Sequence, residues 1–175
     1  MIKILSYVFF LLGLSANLAQ AAVFPDKTSY EVCFTPGENC TRLITEAINQ
    51  AKQSVYVQAY SFTSAPIAKA LVDAKKRGVD VLVVLDKSQI KNNHYSAAKF
   101  LENQSIPLWI DSKPTIAHNK VIIIDSKTVI TGSFNFTKAA QEKNAENVLL
   151  INSSDLSNRY LTNFFKRKSF SEKVM

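Results

Sequence analysis

Glycine, cysteine and histidine are scarce in this chain. Its 175 residues include four glycines, two cysteines and two histidines. So little glycine argues against a loop-rich or disordered chain. We find no internal repeat and no linker rich in proline, glycine or serine, so a single domain is expected. Two histidines far apart, without clustered carboxylates, argue against a divalent-ion hydrolase. We therefore expect neither a metal ion nor another cofactor.

The N-terminal segment has the pattern of a secretory signal peptide. Lys3 is followed by a mostly apolar run over residues 4–18, and residues 19–21 form an Ala-Gln-Ala cleavage site. The run is short for a membrane span, which takes about 20 residues, although an uncleaved anchor is the alternative. No cysteine follows the run, which argues against a lipoprotein anchor. We expect cleavage near Ala21, leaving residues 22–175 as the folded domain of a periplasmic or secreted protein.

The chain is basic. Without Lys3, which the signal peptide carries away, 20 basic and 14 acidic residues remain, a net charge of +6. Such a charge suits polyanions, either nucleic acid or the anionic face of a membrane. The basic runs at residues 75–77 and 166–168 have a second explanation, because each would also be favoured at the C-terminus of a helix.

The two cysteines, Cys33 and Cys40, flank a Pro-Gly turn signal at residues 36–37. An exported chain meets an oxidising compartment. We therefore expect a disulfide that closes a small loop, worth about 2–3 kcal/mol in the chain-entropy model. Two free thiols or an intermolecular bridge are the alternatives.

Strand and helix patterns alternate along the chain, which predicts an α/β fold with a single mixed or largely parallel sheet flanked by helices. Strand patterns cover residues 31–34, 54–61, 79–85, 107–110, 120–125, 128–131 and 146–151. Helix patterns cover residues 41–52, 64–77, 95–103, 137–143 and 155–167. The aromatic residues Tyr56 and Tyr60 lie in a strand pattern and are expected in the core.

Four polar side chains suited to a phosphodiester lie close together in the sequence. His118 and Lys120 begin one strand pattern, and Ser133 and Asn135 follow the next. Alternate residues share a face of a strand, and the short turn at residues 125–127 brings the two segments side by side. One pocket is therefore predicted to hold all four. A neutral imidazole attacks phosphorus, an ammonium holds a non-bridging oxygen, and hydroxyl and amide groups donate to charge that develops in the transition state.

Three neighbouring residues are given supporting roles. Gly132 would let the backbone approach a substrate closely. Glu146 begins an apolar strand pattern, where a carboxylate is costly without a partner, and we expect it to accept a hydrogen bond from His118 and so fix the tautomer. Strand parity places Asp125 on the face opposite His118, so its predicted role is structural, capping the turn before Lys127.

The spacing as a whole resembles the HKD motif of the phospholipase D superfamily. The residues that carry the resemblance are His118, Lys120, Asp125, Gly132, Ser133 and Asn135. The single copy, the small size and the signal peptide make the chain similar to the Nuc-type bacterial endonucleases of that superfamily. The resemblance implies a phospholipase D-like fold and a metal-independent phosphodiesterase, with His118 as nucleophile. It also implies that Glu146 is the acidic residue that orients this histidine.

Because the motif occurs once, the sequence makes a prediction about assembly. The reaction needs a second histidine as general acid for the leaving oxygen. The other histidine, His94, has no lysine two positions on and is expected at the surface. The second acid is then His118 of another subunit, in a homodimer with the active site at a twofold interface.

Three functions are compatible with these residues. The first is a sequence-nonspecific exported endonuclease that cleaves DNA or RNA through a covalent phosphohistidine. The second is a phospholipase D that hydrolyses phospholipid headgroups, with the C-terminal helix and its phenylalanines as an entry surface. The third, a non-catalytic polyanion-binding protein, gives no reason for His118, Glu146 and the hydroxyl-amide pair to occur together.

Overall fold

The computed structural model describes residues 22–25, 28–90 and 96–174. The expected signal peptide at residues 1–21 and the expected surface position of His94 lie outside the described residues. No helix within the described ranges is long and apolar enough to cross a membrane.

Strands and helices alternate along the described chain, as the sequence patterns predict. The strands are β1 Ser29–Thr35, β2 Ser54–Ala59, β3 Asp80–Asp86, β4 Leu108–Asp111, β5 Lys120–Ile124, β6 Thr128–Gly132, β7 Glu146–Asn152 and β8 Glu172–Val174. The helices are α1 Cys40–Gln50, α2 Ala65–Lys76, α3 Ala97–Asn103, α4 Lys138–Glu142 and α5 Ser154–Ser169. Strand β8, three residues long, has no counterpart among the predicted patterns because so short a segment carries no periodicity.

All eight described strands join one mixed sheet in the order β1-β7-β6-β5-β2-β3-β4-β8. Strands β2, β3 and β4 are parallel to one another, and the other pairs are antiparallel. Strand β3 lies between two parallel neighbours, which explains its near-continuous apolar run. The prediction of an α/β fold with a mixed sheet flanked by helices is confirmed.

The two faces of the sheet are covered unequally. One face packs against α1, α2, α3 and α4, whose apolar residues form the larger core cluster with the alternate residues of the strands. The other face packs against α5 alone, through Phe164 and the flanking Leu156, Tyr160 and Leu161. These four residues form an apolar stripe along α5 that lies on the sheet.

A buried ion pair fixes the C-terminal end of α5 to the sheet. Asp111, at the end of β4, is only 1% exposed. Its carboxylate oxygens accept hydrogen bonds from Nε and Nη2 of Arg167, both at 2.7 Å. A bidentate pair of this kind compensates for burying the carboxylate. The middle residue of the basic run at residues 166–168 is therefore structural.

Cys33 and Cys40 form the expected disulfide, with 5.5 Å between their Cα atoms. The bond links the end of β1 to the first residue of α1. Both cysteines are buried, Cys33 at 6% and Cys40 at 0% exposure, so the bridge also contributes to the apolar core. The intramolecular pairing excludes the two alternatives.

Asp125 is structural, but the segment that it holds differs from the one predicted. It follows β5 at φ 52°, and its carboxylate accepts the backbone N–H groups of Lys52, Gln53 and Ser54 at 2.7–2.9 Å. It therefore caps the loop between α1 and β2 rather than the turn before Lys127. Burial acts to raise the pKa of this carboxyl, but the three N–H donors outweigh it and hold the pKa below its ordinary value.

We expect Asp125→Ala to lower the free energy of unfolding by about 2–3 kcal/mol at neutral pH, because three backbone donors lose a charged acceptor. A carboxyl with a lowered folded pKa stabilises the fold above the unfolded value, near pH 4, and this contribution is lost as pH falls through the folded pKa. Urea unfolding at pH 7 and pH 3 measures both effects. The difference in free energy of unfolding between the variant and the wild type should be smaller at pH 3 than at pH 7.

Glu142→Ala is the matched control, since that carboxylate is exposed and forms only an i,i+4 pair with Lys138. Its expected cost is below about 0.5 kcal/mol. An Asp125→Ala cost no larger than that of this control would contradict the structural role.

Candidate active site

The predicted site residues gather at one edge of the sheet. Because β5 runs antiparallel to β2 and β7 antiparallel to β6, the first residues of β5 and β7 lie beside the last residues of β2 and β6. Lys120 begins β5, Glu146 begins β7 and Gly132 ends β6. The carboxyl ends of the parallel strands β2, β3 and β4 meet at the same edge, which is where α/β sheets commonly place their sites.

His118 is exposed, and the backbone on both sides of it is fixed. Asn119 accepts a hydrogen bond from the backbone N–H of Tyr60 at 2.8 Å. The N–H of Ala117 donates to the carboxylate of Asp86 at 2.7 Å. Burial acts to raise the pKa of Asp86, but this N–H and that of Ser88 hold it below its ordinary value. A charged carboxylate at the end of β3 therefore anchors the loop that carries the imidazole.

Lys120 places its ammonium against the imidazole. The side chain is 7% exposed, and Nζ lies 3.2 Å from Nδ1 and 3.1 Å from Nε2 of His118. An ammonium can only donate, and both ring nitrogens lie within contact distance of this one. Burial lowers the pKa of Lys120, and the carboxylate of Glu146 partly opposes this effect.

Tyr60 forms the wall of this part of the site. Its ring centroid is 4.5 Å from that of His118, and the Lys120 ammonium lies 5.2 Å above it. The sequence placed Tyr60 in the core, and that prediction is wrong, because the side chain is half-buried at the end of its strand. Tyr56 is also half-buried but stacks on Phe164, with ring centroids 5.2 Å apart, in agreement with a packing role.

Ser133 and Glu146 form the second contacting pair. The Ser133 hydroxyl donates to Oε2 of Glu146 at 2.5 Å and accepts from the backbone N–H of Asn147 at 3.0 Å. The other carboxylate oxygen accepts from Asn144 at 3.0 Å. Glu146 was expected to bind His118, and in this chain its carboxylate instead holds Ser133. The two pairs are coupled because Glu146 interacts electrostatically with Lys120.

Gly132 is required by packing against β7, and its predicted role in the approach of a substrate stays a prediction. Its φ is +148°, and a Cβ there would lie 2.2 Å from the backbone oxygen of Asn147. That same oxygen accepts hydrogen bonds from the N–H groups of Ser133 and Phe134. The missing side chain thus lets β7 approach closely enough to fix the backbone of Ser133.

Asn135 lies between two buried phenylalanines, Phe134 and Phe136, which anchor its loop in the core. The carbonyl of Phe136 accepts hydrogen bonds from Thr63 and Ser64 at 2.9 Å each, so the loop is tied to the segment that follows β2. The side-chain oxygen of Asn135 is buried and has no hydrogen-bond partner. A buried polar atom left unpaired is costly, and the buried side-chain oxygens of Gln58 and Ser157 share this property.

Sequence reasoning missed three residues that shape the site: Tyr60, Asp86 and Asn147. Asp86 carried a usable signal, since a carboxylate directly after the apolar run of a parallel strand lies at the functional edge of the sheet. Asn147 had none, because its role rests on a backbone contact with Gly132. No group of three or more His, Cys, Asp or Glu side chains within the described ranges is arranged to hold a metal ion.

The fold and this site define a hydrolase that acts on phosphodiester bonds. A family model described as "Cardiolipin synthase, PLD-like domain" matches residues 44–168. The chain therefore belongs to the phospholipase D-like family, as the spacing of its motif predicts.

Individual relatives agree with this assignment. The phospholipase D of Rickettsia prowazekii (strain Madrid E) is 47% identical over 148 residues, which cover 85% of this chain and 72% of that protein. The crystal structure of Nuc, a phospholipase D family member from Salmonella typhimurium, matches with a TM-score of 0.78 at 42% identity and covers 85% of this chain and 99% of Nuc. NucT from Helicobacter pylori matches with a TM-score of 0.76 at 25% identity, covering 85% of this chain and 100% of NucT.

We expect Gly132→Ala to cost about 3 kcal/mol or more, because it combines a disfavoured φ with overlap against the β7 backbone. The same shift should displace Ser133 and lower kcat. Urea unfolding and steady-state kinetics on a small phosphodiester measure the two effects.

Gly78→Ala is the control, because Gly78 also has a positive φ of +88° but a Cβ there meets nothing within 4 Å. It should cost only about 1–2 kcal/mol and leave kcat unchanged. Equal costs for the two variants would show that the approach of β7 is unimportant.

Proposed function

We propose that the chain is a sequence-nonspecific, exported endonuclease that cleaves DNA or RNA without a metal ion through a covalent phosphohistidine. The observation that carries the proposal is the exposed imidazole of His118 with the Lys120 ammonium 3.1–3.2 Å from its ring nitrogens. The net charge of +6 expected for residues 22–175 and the likeness to Nuc support a nucleic acid as the substrate.

In the first step, a ring nitrogen of His118 forms a bond to phosphorus and the bond to the leaving oxygen breaks. A second, protonated imidazole gives its proton to that oxygen. In the second step, the now neutral second imidazole takes a proton from water, which attacks phosphorus and releases His118. Lys120 stabilises the non-bridging oxygens throughout.

Ser133 and Glu146 have a linked role in this scheme. The Ser133 hydroxyl already donates to Glu146, so it can donate to a phosphate oxygen only by leaving the carboxylate. Glu146 therefore orients the hydroxyl before substrate binds and supports the charge of Lys120. Asn135 is proposed to bind substrate through its amide.

The second imidazole is proposed to be His118 of another copy of this chain, in a homodimer. Helix α5 packs over β4, β5 and β6, and it leaves the same face of β1 exposed. On that face Tyr30, Val32 and Phe34 are 69%, 41% and 57% exposed. Phe34 pairs with Asn147, so this apolar strip reaches the active-site edge. A strip that ends at an incomplete site is suited to a second copy.

A phospholipase D activity is the alternative, and it has support in the name of the Rickettsia relative. The entry surface expected on the C-terminal helix is limited to Phe165 and Phe170, which are 45% and 43% exposed. Its apolar stripe packs on the sheet, Phe165 packs edge-on against Tyr56 and Phe164, and Phe170 lies under the Lys113 ammonium. Both readings share the same catalytic centre, since both substrates are phosphodiesters.

A periplasmic or extracellular location remains part of the proposal. The Cys33–Cys40 disulfide supports it, because such bonds persist in oxidising compartments. Export through a signal peptide at residues 1–21 would deliver the chain there.

The function is tested by parallel assays on plasmid DNA and on phosphatidylcholine micelles, both with excess EDTA. We expect the wild type to cleave DNA in the presence of EDTA and to leave the lipid intact. His118→Ala should lower DNA cleavage at least about 10³-fold, because no other group replaces the nucleophile, while far-UV circular dichroism stays unchanged.

Asn49→Ala, an exposed change on α1 at the end of the sheet away from the site, is the control and should keep full activity. Residual activity of one tenth in His118→Ala would rule out this residue as the nucleophile. Cleavage of lipid alone would favour the phospholipase, a requirement for added Mg²⁺ would overturn the metal-independent reaction, and DNA left intact would favour a binding protein.

The homodimer is tested by the double variant Val32→Asp, Phe34→Asp, which places two charges on the exposed strip of β1. We expect a monomer by analytical ultracentrifugation and a loss of activity of at least about 10²-fold, since the general acid is removed. Glu31→Ala, on the opposite face of the same strand, should leave the oligomeric state and the activity unchanged. A monomer that keeps full specific activity would contradict the shared site.

A further inference from the structure

A group of lysines and aromatic rings lies on β4, β8 and the end of α5. These strands form the side of the sheet farthest from β1, and the group lies on the face that carries α5. Lys168 Nζ is 4.1 Å and Lys173 Nζ 5.9 Å from the ring centroid of Trp109. Lys113 Nζ is 3.7 Å from the ring centroid of Phe170. We call these five residues the lysine–aromatic patch. It lies outside the catalytic residues, and the HKD-like motif does not include it.

The lysines of the patch have no carboxylate partner. Within the described ranges, the salt bridges of the chain do not include Lys113, Lys168 or Lys173. Each ammonium is instead positioned by the face of an aromatic ring, which attracts a cation without neutralising it. The N–H groups that point away from the ring therefore remain available to an anion, and part of the conformational freedom of each lysine is already lost before binding.

The one arginine beside the patch is committed to the fold. Arg167 lies 6.0 Å from the Phe170 ring, but its guanidinium is paired with Asp111. This pair holds the end of α5 on β4, and so it sets the position of Phe170 and Lys168. Glu172, which is exposed on β8, is the acidic residue next to the patch. Three lysines against one carboxylate leave this region with a net positive charge.

The patch is connected to the active site by a short, fixed segment. Lys113 and His118 are separated by five positions, so their Cα atoms lie within ~18 Å of each other even if the segment is fully extended. Lys87 Nζ donates to the carbonyl of Pro114 at 3.1 Å, and Asp86 accepts from Ala117. Lys113 thus lies at the end of a loop that is held at two points and leads directly to the nucleophile.

We propose that the lysine–aromatic patch binds the phosphate backbone of the nucleic acid beyond the bond that is cut. The inference rests on the proposed function, and it assigns a substrate-binding surface to it. The strand would leave the site along residues 113–118 and continue over Phe170 and Trp109. Each lysine would contact a phosphate, and an exposed ring edge would contact a base or sugar.

A membrane surface suits the patch less well. A membrane-binding helix presents bulky apolar side chains that insert between lipids. Here Phe165 and Phe170 are 45% and 43% exposed, but the Lys113 ammonium lies 3.7 Å from the Phe170 ring, Trp109 is half-buried beneath Lys168, and the apolar stripe of α5 faces the sheet. With three ammonium groups set against its rings, the patch suits contact with a chain of phosphates.

The test compares the triple variant Lys113→Gln, Lys168→Gln, Lys173→Gln with a triple variant of equal charge, Lys52→Gln, Lys76→Gln, Lys127→Gln. The control lysines lie at the end of the sheet opposite the active site, shortly before the first residues of β2, β3 and β6. Hydrolysis of bis(p-nitrophenyl) phosphate reports the catalytic centre, and binding of a labelled 20-nucleotide single strand to the His118→Ala protein reports affinity. Phosphatidylglycerol vesicles are tested in parallel.

We expect the patch variant to hydrolyse the small diester within twofold of the wild type and to bind the oligonucleotide at least tenfold more weakly. The slope of log affinity against log salt should fall in magnitude by about 2, which is three phosphate contacts on a single strand. The control triple should change affinity by less than threefold.

Unchanged oligonucleotide affinity in the patch variant would overturn the inference, as would an equal loss in the control triple. Loss of vesicle binding with oligonucleotide binding retained would identify a lipid surface and overturn it as well. Cleavage of the oligonucleotide by the wild type tests the proposed endonuclease separately, because the binding measurement with His118→Ala does not depend on turnover.

Discussion

The antiparallel pairing of β5 with β2 in the middle of the sheet is the constraint on which the site depends. It sets Lys120, the first residue of β5, beside Ala59, the last residue of β2. The four residues of β5 that follow Lys120 are all buried. Packing on both faces fixes that register, because a slip by one residue would exchange the residues that face the two core clusters and turn Lys120 to the other face of the sheet. The lysine is thereby held 7% exposed at the rim of an apolar sheet, with its ammonium directed at the imidazole two residues earlier.

Electrostatic interactions around that lysine connect the parts of the site. Burial lowers the pKa of Lys120, and Glu146 on β7 opposes the loss of its proton. Glu146 also receives the Ser133 hydroxyl, while Asp86 fixes the backbone before His118. Two carboxylates on two different strands thus arrange an imidazole, a cation and a hydroxyl, and neither carboxylate forms a hydrogen bond with the imidazole. Pre-organisation of this kind is how a protein stabilises developing charge without rearranging at the moment of reaction.

The unequal covering of the two faces of the sheet leaves room for the proposed partner subunit and the proposed substrate path. Four helices bury one face, whereas α5 alone covers part of the other. The exposed strip of β1 lies at one end of that face, and the lysine–aromatic patch lies at the other. The active-site edge runs between them. The proposed partner subunit and the proposed path of the substrate therefore occupy opposite ends of one surface, and neither obstructs the other.

Local pattern was sufficient for the elements, because apolar periodicity reflects burial directly. The strand at residues 120–124 and the helix that packs through Phe164 are examples, and the disulfide followed from two cysteines around a turn. The motif spacing likewise identified His118, Lys120, Ser133, Asn135 and Glu146 as one group. The contacts among these residues were less predictable, because a hydrogen bond depends on distances and angles that the periodicity of the sequence does not report.

The sequence by itself determined the α/β class, the family and the chemical groups of the site, because these depend on side-chain type and on spacing along one strand pair. Only the tertiary structure decided that Glu146 holds Ser133 rather than His118, that Gly132 makes room for β7, that Asp125 caps a loop some seventy residues away, and that Tyr60 lines the site. Each of these contacts joins segments from different strands or loops. Their geometry is set by how the whole sheet packs, and no local stretch of sequence contains it.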